Sequence, residues 1–68
     1  MTDTLMLELY IKKKGYTKKE VAKLLGLSFN GFMLKANNVN EFKASEIKQL
    51  CELLDLNDTS IFFKDKVN

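Results

Sequence analysis

The chain has 68 residues, 46% of them hydrophobic, with 11 basic and 9 acidic side chains and a net charge of +2. That length holds one domain, and that apolar share argues against wholesale disorder. Every basic residue is Lys; with no Arg, His, Trp or Pro and with Cys51 alone, an intrachain disulfide, a structural zinc and a Ser-His or Cys-His nucleophile are all excluded.

The first predicted helix runs from about Leu5 to Lys14. Thr2, Asp3 or Thr4 can cap it, because each offers a side-chain oxygen to unpaired backbone N–H groups. Leu7, Tyr10, Ile11 and Leu5 supply its apolar stripe. Lys12, Lys13 and Lys14 suit the negative end of the helix dipole, and Gly15 ends the helix. The second helix opens on Thr17, with Glu20 three residues later in the capping-box pattern. Tyr16 before the cap and Val21 can form a hydrophobic staple. Val21, Leu24 and Leu25 are predicted to face inward, and Lys18, Lys19 and Lys23 outward. Gly26 stops this helix, Leu27 anchors the turn, and Ser28 caps a third helix over about Phe29 to Asn37.

Asn37 to Asn40 reads as a loop, since Asn tolerates turn geometry. A fourth helix is predicted over Ala44 to Asp55, where Ile47, Leu50, Cys51 and Leu54 fall on one face. Asn57 can cap a short fifth helix, about Asp58 to Phe63. Ile61, Phe62 and Phe63 cannot all face inward, so at least one is available for a dimer contact. Residues 64–68 read as a frayed tail, which leaves an ordered core of about residues 5–63. No segment alternates with period two. The expectation is an all-α single domain: a compact five-helix bundle.

Several function classes find no support. The phosphate loop GxxxxGK(S/T), the dinucleotide pattern GxGxxG and the metal motif HExxH are all missing. No apolar run approaches a membrane span, and Met-Thr-Asp-Thr lacks the basic stretch of a secretory signal. Single-cysteine usage fits a reducing, cytoplasmic compartment. The acids fall mostly on predicted solvated faces, so neither enzyme chemistry nor a cofactor or metal is expected.

Thr17 to Asn37 joins two helices through a glycine turn. The small Ala22 lets the helices approach, Gly26 permits the turn, and Leu27 fills the space beneath it. A helix-turn-helix needs this combination sterically. On these residues the chain resembles the lambda-repressor/Cro-like (XRE) helix-turn-helix family. Within it, the likeness is to small phage-type regulators of low-GC Gram-positive bacteria. The likeness is carried by Lys14-Gly15-Tyr16-Thr17, Glu20-Val21-Ala22, Leu25-Gly26-Leu27-Ser28, Phe32, Asn37-Asn38, Glu41-Phe42 and Ser45-Glu46-Ile47-Lys48. It spans about residues 5–63.

The resemblance implies a five-helix fold and double-stranded DNA binding, with the helix after Ser28 in the major groove. At about 100° per residue, Phe32 and Ala36 share one face and Asn30, Leu34 and Asn37 point the other way. Asn30 is the best candidate base reader, since its amide can pair with adenine N6 and N7. Phe29, Met33 and Leu34 can offer apolar contact to thymine methyls. Thr17, Lys18, Ser28, Lys35, Asn37, Asn38 and Lys43 are candidate phosphate contacts.

Two readings stay open at the third helix. Phe29, Phe32, Met33 and Ala36 form a complete core stripe by spacing, whereas the family pattern exposes Phe29 and Met33. Gly31 either lets the backbone approach DNA or is simply a tolerated helix residue. The family carries Gln, Arg or Ser where this chain has Phe29, Met33 and Leu34. Lacking Arg, it has no means of making the commonest guanine contact, which favours an A/T-rich operator. Lys43 stands where relatives often have a capping Thr. A protein-binding module, an anti-repressor or modulator that docks on a partner repressor through Phe29, Met33 and Leu34, is the alternative. The charge is also uneven. Residues 1–40 carry seven Lys against Asp3, Glu8 and Glu20, or +4, and residues 41–68 carry four Lys against six acids, or −2.

Overall fold

The computed structural model describes residues 1–65 of the chain. Four α-helices follow one another: α1 (Thr4–Lys13), α2 (Lys18–Leu24), α3 (Phe29–Ala36) and α4 (Ala44–Leu54). No strand occurs among the described residues. The expected fifth helix is instead one 3-10 turn, Ser60–Phe62. The cause is local. Asp58 Oδ1 accepts both Ser60 N–H (2.9 Å) and Ser60 Oγ–H (2.7 Å), which captures the segment in a side-chain turn. Six residues are also too few to nucleate a helix without such competition.

Helix ends follow the chemistry of single residues. Asp3, among the three candidates, caps α1 by accepting Met6 N–H at 3.1 Å. Thr4 Oγ1 serves elsewhere, donating to Ala36 O at 2.5 Å and tying α1 to the end of α3. Thr17 and Glu20 form the full capping box on α2. Gly15 and Gly26 take φ values of +81° and +73°, the left-handed geometry that closes α1 and α2. At each, the residue after the glycine donates back into the helix: Tyr16 N–H to Ile11 O and Leu27 N–H to Ala22 O. Asn38, at φ +66°, does the same service for α3. Lys43 provides no side-chain cap for α4, and Glu46 Oε1 accepts Lys43 N–H at 2.9 Å instead.

Leu7, Ile11, Val21, Ala22, Phe32 and Leu50 lie at the centre of a single buried cluster. Phe42 stands between Phe32 and Phe62, with ring centroids 5.9 and 5.8 Å away. Two inward expectations fail. Leu5 is 78% exposed and Leu24 54% exposed. Leu5 lies well round α1 from the buried Leu7 and Ile11, and on α2 the small Ala22 takes the inward position beside Val21 and Leu25. Tyr10, Tyr16, Leu27 and Cys51 are half-buried against the core, and Phe63 is exposed while Phe62 is buried.

The tail begins ordered rather than frayed. Lys64 N–H donates to Met1 O (2.9 Å), and Lys64 Nζ reaches Asp3 Oδ2 (3.0 Å). Residues 66–68 of the expected frayed segment lie outside the described residues.

Candidate nucleic-acid interface

The unit of interest is α2, the turn Leu25–Ser28, and α3. Val21, Ala22 and Leu25 from α2 and Phe32 and Ala36 from α3 are buried against one another and the core. Leu27 packs beneath the turn, and Ser28 Oγ caps α3 by accepting Gly31 N–H at 3.0 Å. The same geometry places Gly31 so that an added Cβ would meet Ser28 Oγ at 3.0 Å. Glycine here therefore serves the close cap, a role that neither sequence reading of Gly31 included.

The four-residue stripe divides. Phe32 and Ala36 are buried, Met33 is half-buried against the core, and Phe29 is 44% exposed. Asn30 and Asn37 are exposed. Leu34, placed by helix geometry on the outermost line, is instead half-buried. Its carbonyl accepts both Val39 N–H (2.9 Å) and Asn40 N–H (3.1 Å), so the loop after α3 folds back on that turn. The open face of α3 thus runs through Phe29, Asn30 and Asn37, with Met33 and Leu34 partly sheltered along it.

The candidate phosphate contacts fall into two groups. Thr17, Ser28, Asn37 and Lys43 are exposed. Thr17 and Ser28 each use the hydroxyl oxygen to accept a cap hydrogen bond, which leaves the O–H free to donate outward. Lys35, Asn38 and Lys18 are engaged inside the protein. Lys35 Nζ donates to Glu46 Oε1 at 2.6 Å, with the two side chains only 13% and 8% exposed. The amide of Asn38 pairs with the Thr2 backbone on both edges: Oδ1 accepts Thr2 N–H at 2.7 Å, and Nδ2 donates to Thr2 O at 2.9 Å. Lys18 Nζ meets Glu8 Oε1 at 2.9 Å, half exposed and open to exchange with solvent ions. Lys35 and Asn38 are therefore structural groups in the free protein. Residue type nominated them for phosphate, and burial beside α4 and α1 gives them other partners.

Two lysines that the sequence marked only as outward-facing belong with the exposed set. Lys19 and Lys23, four residues apart on α2, are exposed and form no ion pair among the described residues. Their i, i+4 spacing, which puts both on the face opposite Val21, was the signal for them. Lys12 and Lys13, at the end of α1, are likewise exposed.

Burial pushes the Glu46 carboxyl up, but the hydrogen bonds from Lys35 and Lys43 N–H and the two ammonium charges outweigh it, so it lies below its ordinary 4.5. Burial, with the charges of Asp58 and Glu52, pushes the Cys51 thiol up and keeps it protonated at neutral pH. Among the described residues no cluster of His, Cys, Asp or Glu could hold a metal ion, and no helix is long and apolar enough to cross a membrane. Compared with protein-family models, curated proteins and solved structures, the chain matches none.

Proposed function

We propose that this chain is a small transcription regulator that binds operator DNA through α2 and α3, in the manner of the phage-type Cro-like repressors it resembles. The observation that carries the reading is the pairing of two surfaces. The capped, exposed N-terminal end of α3 presents Phe29 and Asn30, and the adjacent α2 presents Lys19 and Lys23, which have no acidic partner among the described residues. A helix end of that kind fits a major groove, and exposed ammonium groups on the neighbouring helix can neutralise phosphate.

Asn30 is assigned to adenine, with Phe29, Met33 and Leu34 offering apolar contact to thymine methyls. Thr17, Ser28, Asn37, Lys19, Lys23 and Lys43 set register on the backbone. An A/T-rich operator follows from the lack of Arg. A homodimer would present two such helices to successive grooves. The exposed Phe63, beside a shallow cavity of about 130 Å³ with Phe42, Ile47 and Phe62 in its lining, is the surface assigned to that contact. The setting is the cytoplasm of a bacterial host.

One observation favours a second reading. Phe29 is a large apolar side chain, 44% exposed at the open end of α3, which suits a protein partner such as another repressor. Electrophoretic mobility shift against the DNA flanking the gene separates the two. DNA binding predicts a complex whose affinity falls steeply with salt. No shift of native or random duplex at low salt, together with co-purification of a neighbouring repressor, overturns it in favour of the protein partner.

A further inference from the structure

The C-terminal end of α3 is fastened to α4 by one carboxylate oxygen. Glu46 Oε1, in the first turn of α4, accepts Lys35 Nζ from the last turn of α3 at 2.6 Å and Lys43 N–H at 2.9 Å. The other three ion pairs among the described residues are more open. Lys14–Asp55 is 38% and 73% exposed, Lys18–Glu8 38% and 41%, and Lys64–Asp3 48% and 17%. Exposed pairs exchange readily with salt and with other anions, whereas a pair out of water is screened far less. Removing the carboxylate would strand a largely buried ammonium, a strongly unfavourable state. A phosphate arriving from outside must therefore compete with a partner already in place.

We propose that Glu46 is a positioning residue for the reading helix: on one oxygen it holds Lys35 and the start of α4, fixing the set of α3 against α4 and withholding Lys35 from DNA phosphate. This role rests on the DNA-binding reading above. Base reading depends on placing side chains at the groove floor to within a fraction of an ångström. A helix clamped at its far end meets that demand while its near end stays open.

The full chain and three variants, Lys35→Met, Lys35→Arg and Glu46→Gln, test it. Affinity is measured for a short A/T-rich duplex and a G/C-rich duplex of equal length across a salt series, at a temperature where circular dichroism shows each variant folded. Lys35→Met is expected to leave the slope of log affinity against log salt unchanged and to cut the ratio between the two duplexes roughly fivefold, the low end of a lost base contact. Lys35→Arg, which keeps the charge-assisted bond, is expected to hold that ratio within about twofold of the parent. Glu46→Gln removes the opposing charge, so that the Lys35 ammonium is driven outward to water or phosphate, and is expected to steepen the slope by up to about 0.9, one added phosphate contact.

A slope that falls by about 0.9 in Lys35→Met makes Lys35 a phosphate contact and overturns the proposal. An unchanged duplex ratio with a lowered melting temperature also overturns it, since the pair is then only structural. A parent chain that binds neither duplex at low salt overturns the DNA reading and this role with it. The Lys35→Met/Glu46→Gln cycle in the free protein identifies that case. A double variant no less stable than either single leaves the clasp standing as a structural pair, and additive losses remove even that.

Discussion

At the N-terminal end of α3, Phe29 and Asn30 are exposed, and Ser28 caps the helix through its hydroxyl oxygen with no tie to another helix. At the C-terminal end, Lys35 is drawn to Glu46, the Ala36 carbonyl accepts Thr4, and Asn38 is paired on both edges with Thr2. The two ends belong to one helix of eight residues, yet one is open to solvent and the other is bolted to α1 and α4. A short helix can leave one tip open with little loss of precision if its other end carries the constraints. The residues to alter for recognition and for stability therefore separate along one helix.

The largest way to break that separation is Phe32→Ala. Phe32 is fully buried and packs at a tilt against Phe42, so its loss is expected to cost about 3–5 kcal/mol and to disorder both ends together. Urea unfolding followed by circular dichroism reads that loss directly. Next comes Asn38→Ala, which should strand the Thr2 backbone and strain a left-handed residue, costing about 2 kcal/mol. Asn38→Gly removes the strain but not the lost bonds, so a smaller loss is expected, and equal losses would assign the whole effect to the hydrogen bonds.

Asn30→Ala works on the open end. Its unfolding free energy is expected to stay within about 0.5 kcal/mol of the parent. Its preference between A/T-rich and other duplexes should drop by about 1–3 kcal/mol in fluorescence anisotropy titrations. A large stability loss with unchanged preference would reverse the assignment of the two ends.

The smallest effect is on acid stability. The Lys64 hydrogen bond, helped by Met6 N–H, holds Asp3 below its ordinary 3.8, and Glu46 lies below 4.5. A carboxyl depressed in the folded state stabilises the fold above its unfolded value, and that contribution vanishes as pH falls through the folded one. Thermal stability should hold from pH 7 to about 5 and decline below about pH 4.5 as both carboxyls take up protons. Lys35→Met should soften the decline, because Glu46 then loses a main cause of its depression.

Helix positions and caps were legible because each depends on a few neighbouring residues. Thr17 with Glu20, Ser28, Gly15 and Gly26 act through bonds three to five residues long, and the structure places helix boundaries within a residue or two of those signs. The fifth helix was misread because Asp58 competes for Ser60 within the same short stretch. Leu5 and Leu24 were misread because apolar character alone does not say which way a helix turns when the core is already supplied by Leu7, Ile11, Val21 and Ala22.

The candidate interface was legible only in part. Asn30, Phe29, Thr17 and Ser28 followed from helix phase and capping, which the sequence carries locally. Lys35 and Asn38 did not, because their partners Glu46 and Thr2 lie 11 and 36 residues away in the chain. Residue type could not distinguish a lysine waiting for phosphate from one already satisfied. Lys19 and Lys23, lacking any acidic partner among the described residues, became distinct from Lys18 only once Glu8 was seen beside it.

The join between the first residues and the last described ones has a kinetic consequence. Asp3 N–H bonds Ile61 O at 2.6 Å, and Lys64 N–H bonds Met1 O, so the seam closes a loop of nearly the whole chain. Closing so long a loop carries a greater entropic cost than forming the neighbouring α2–α3 contacts, and contacts of that separation form late on the way to the native state. By the same logic the seam is the part that opens first without global unfolding. Amide exchange at Asp3 and Lys64 should accordingly run ahead of exchange at Val21 and Phe32, and the α2–α3 unit should persist through those openings.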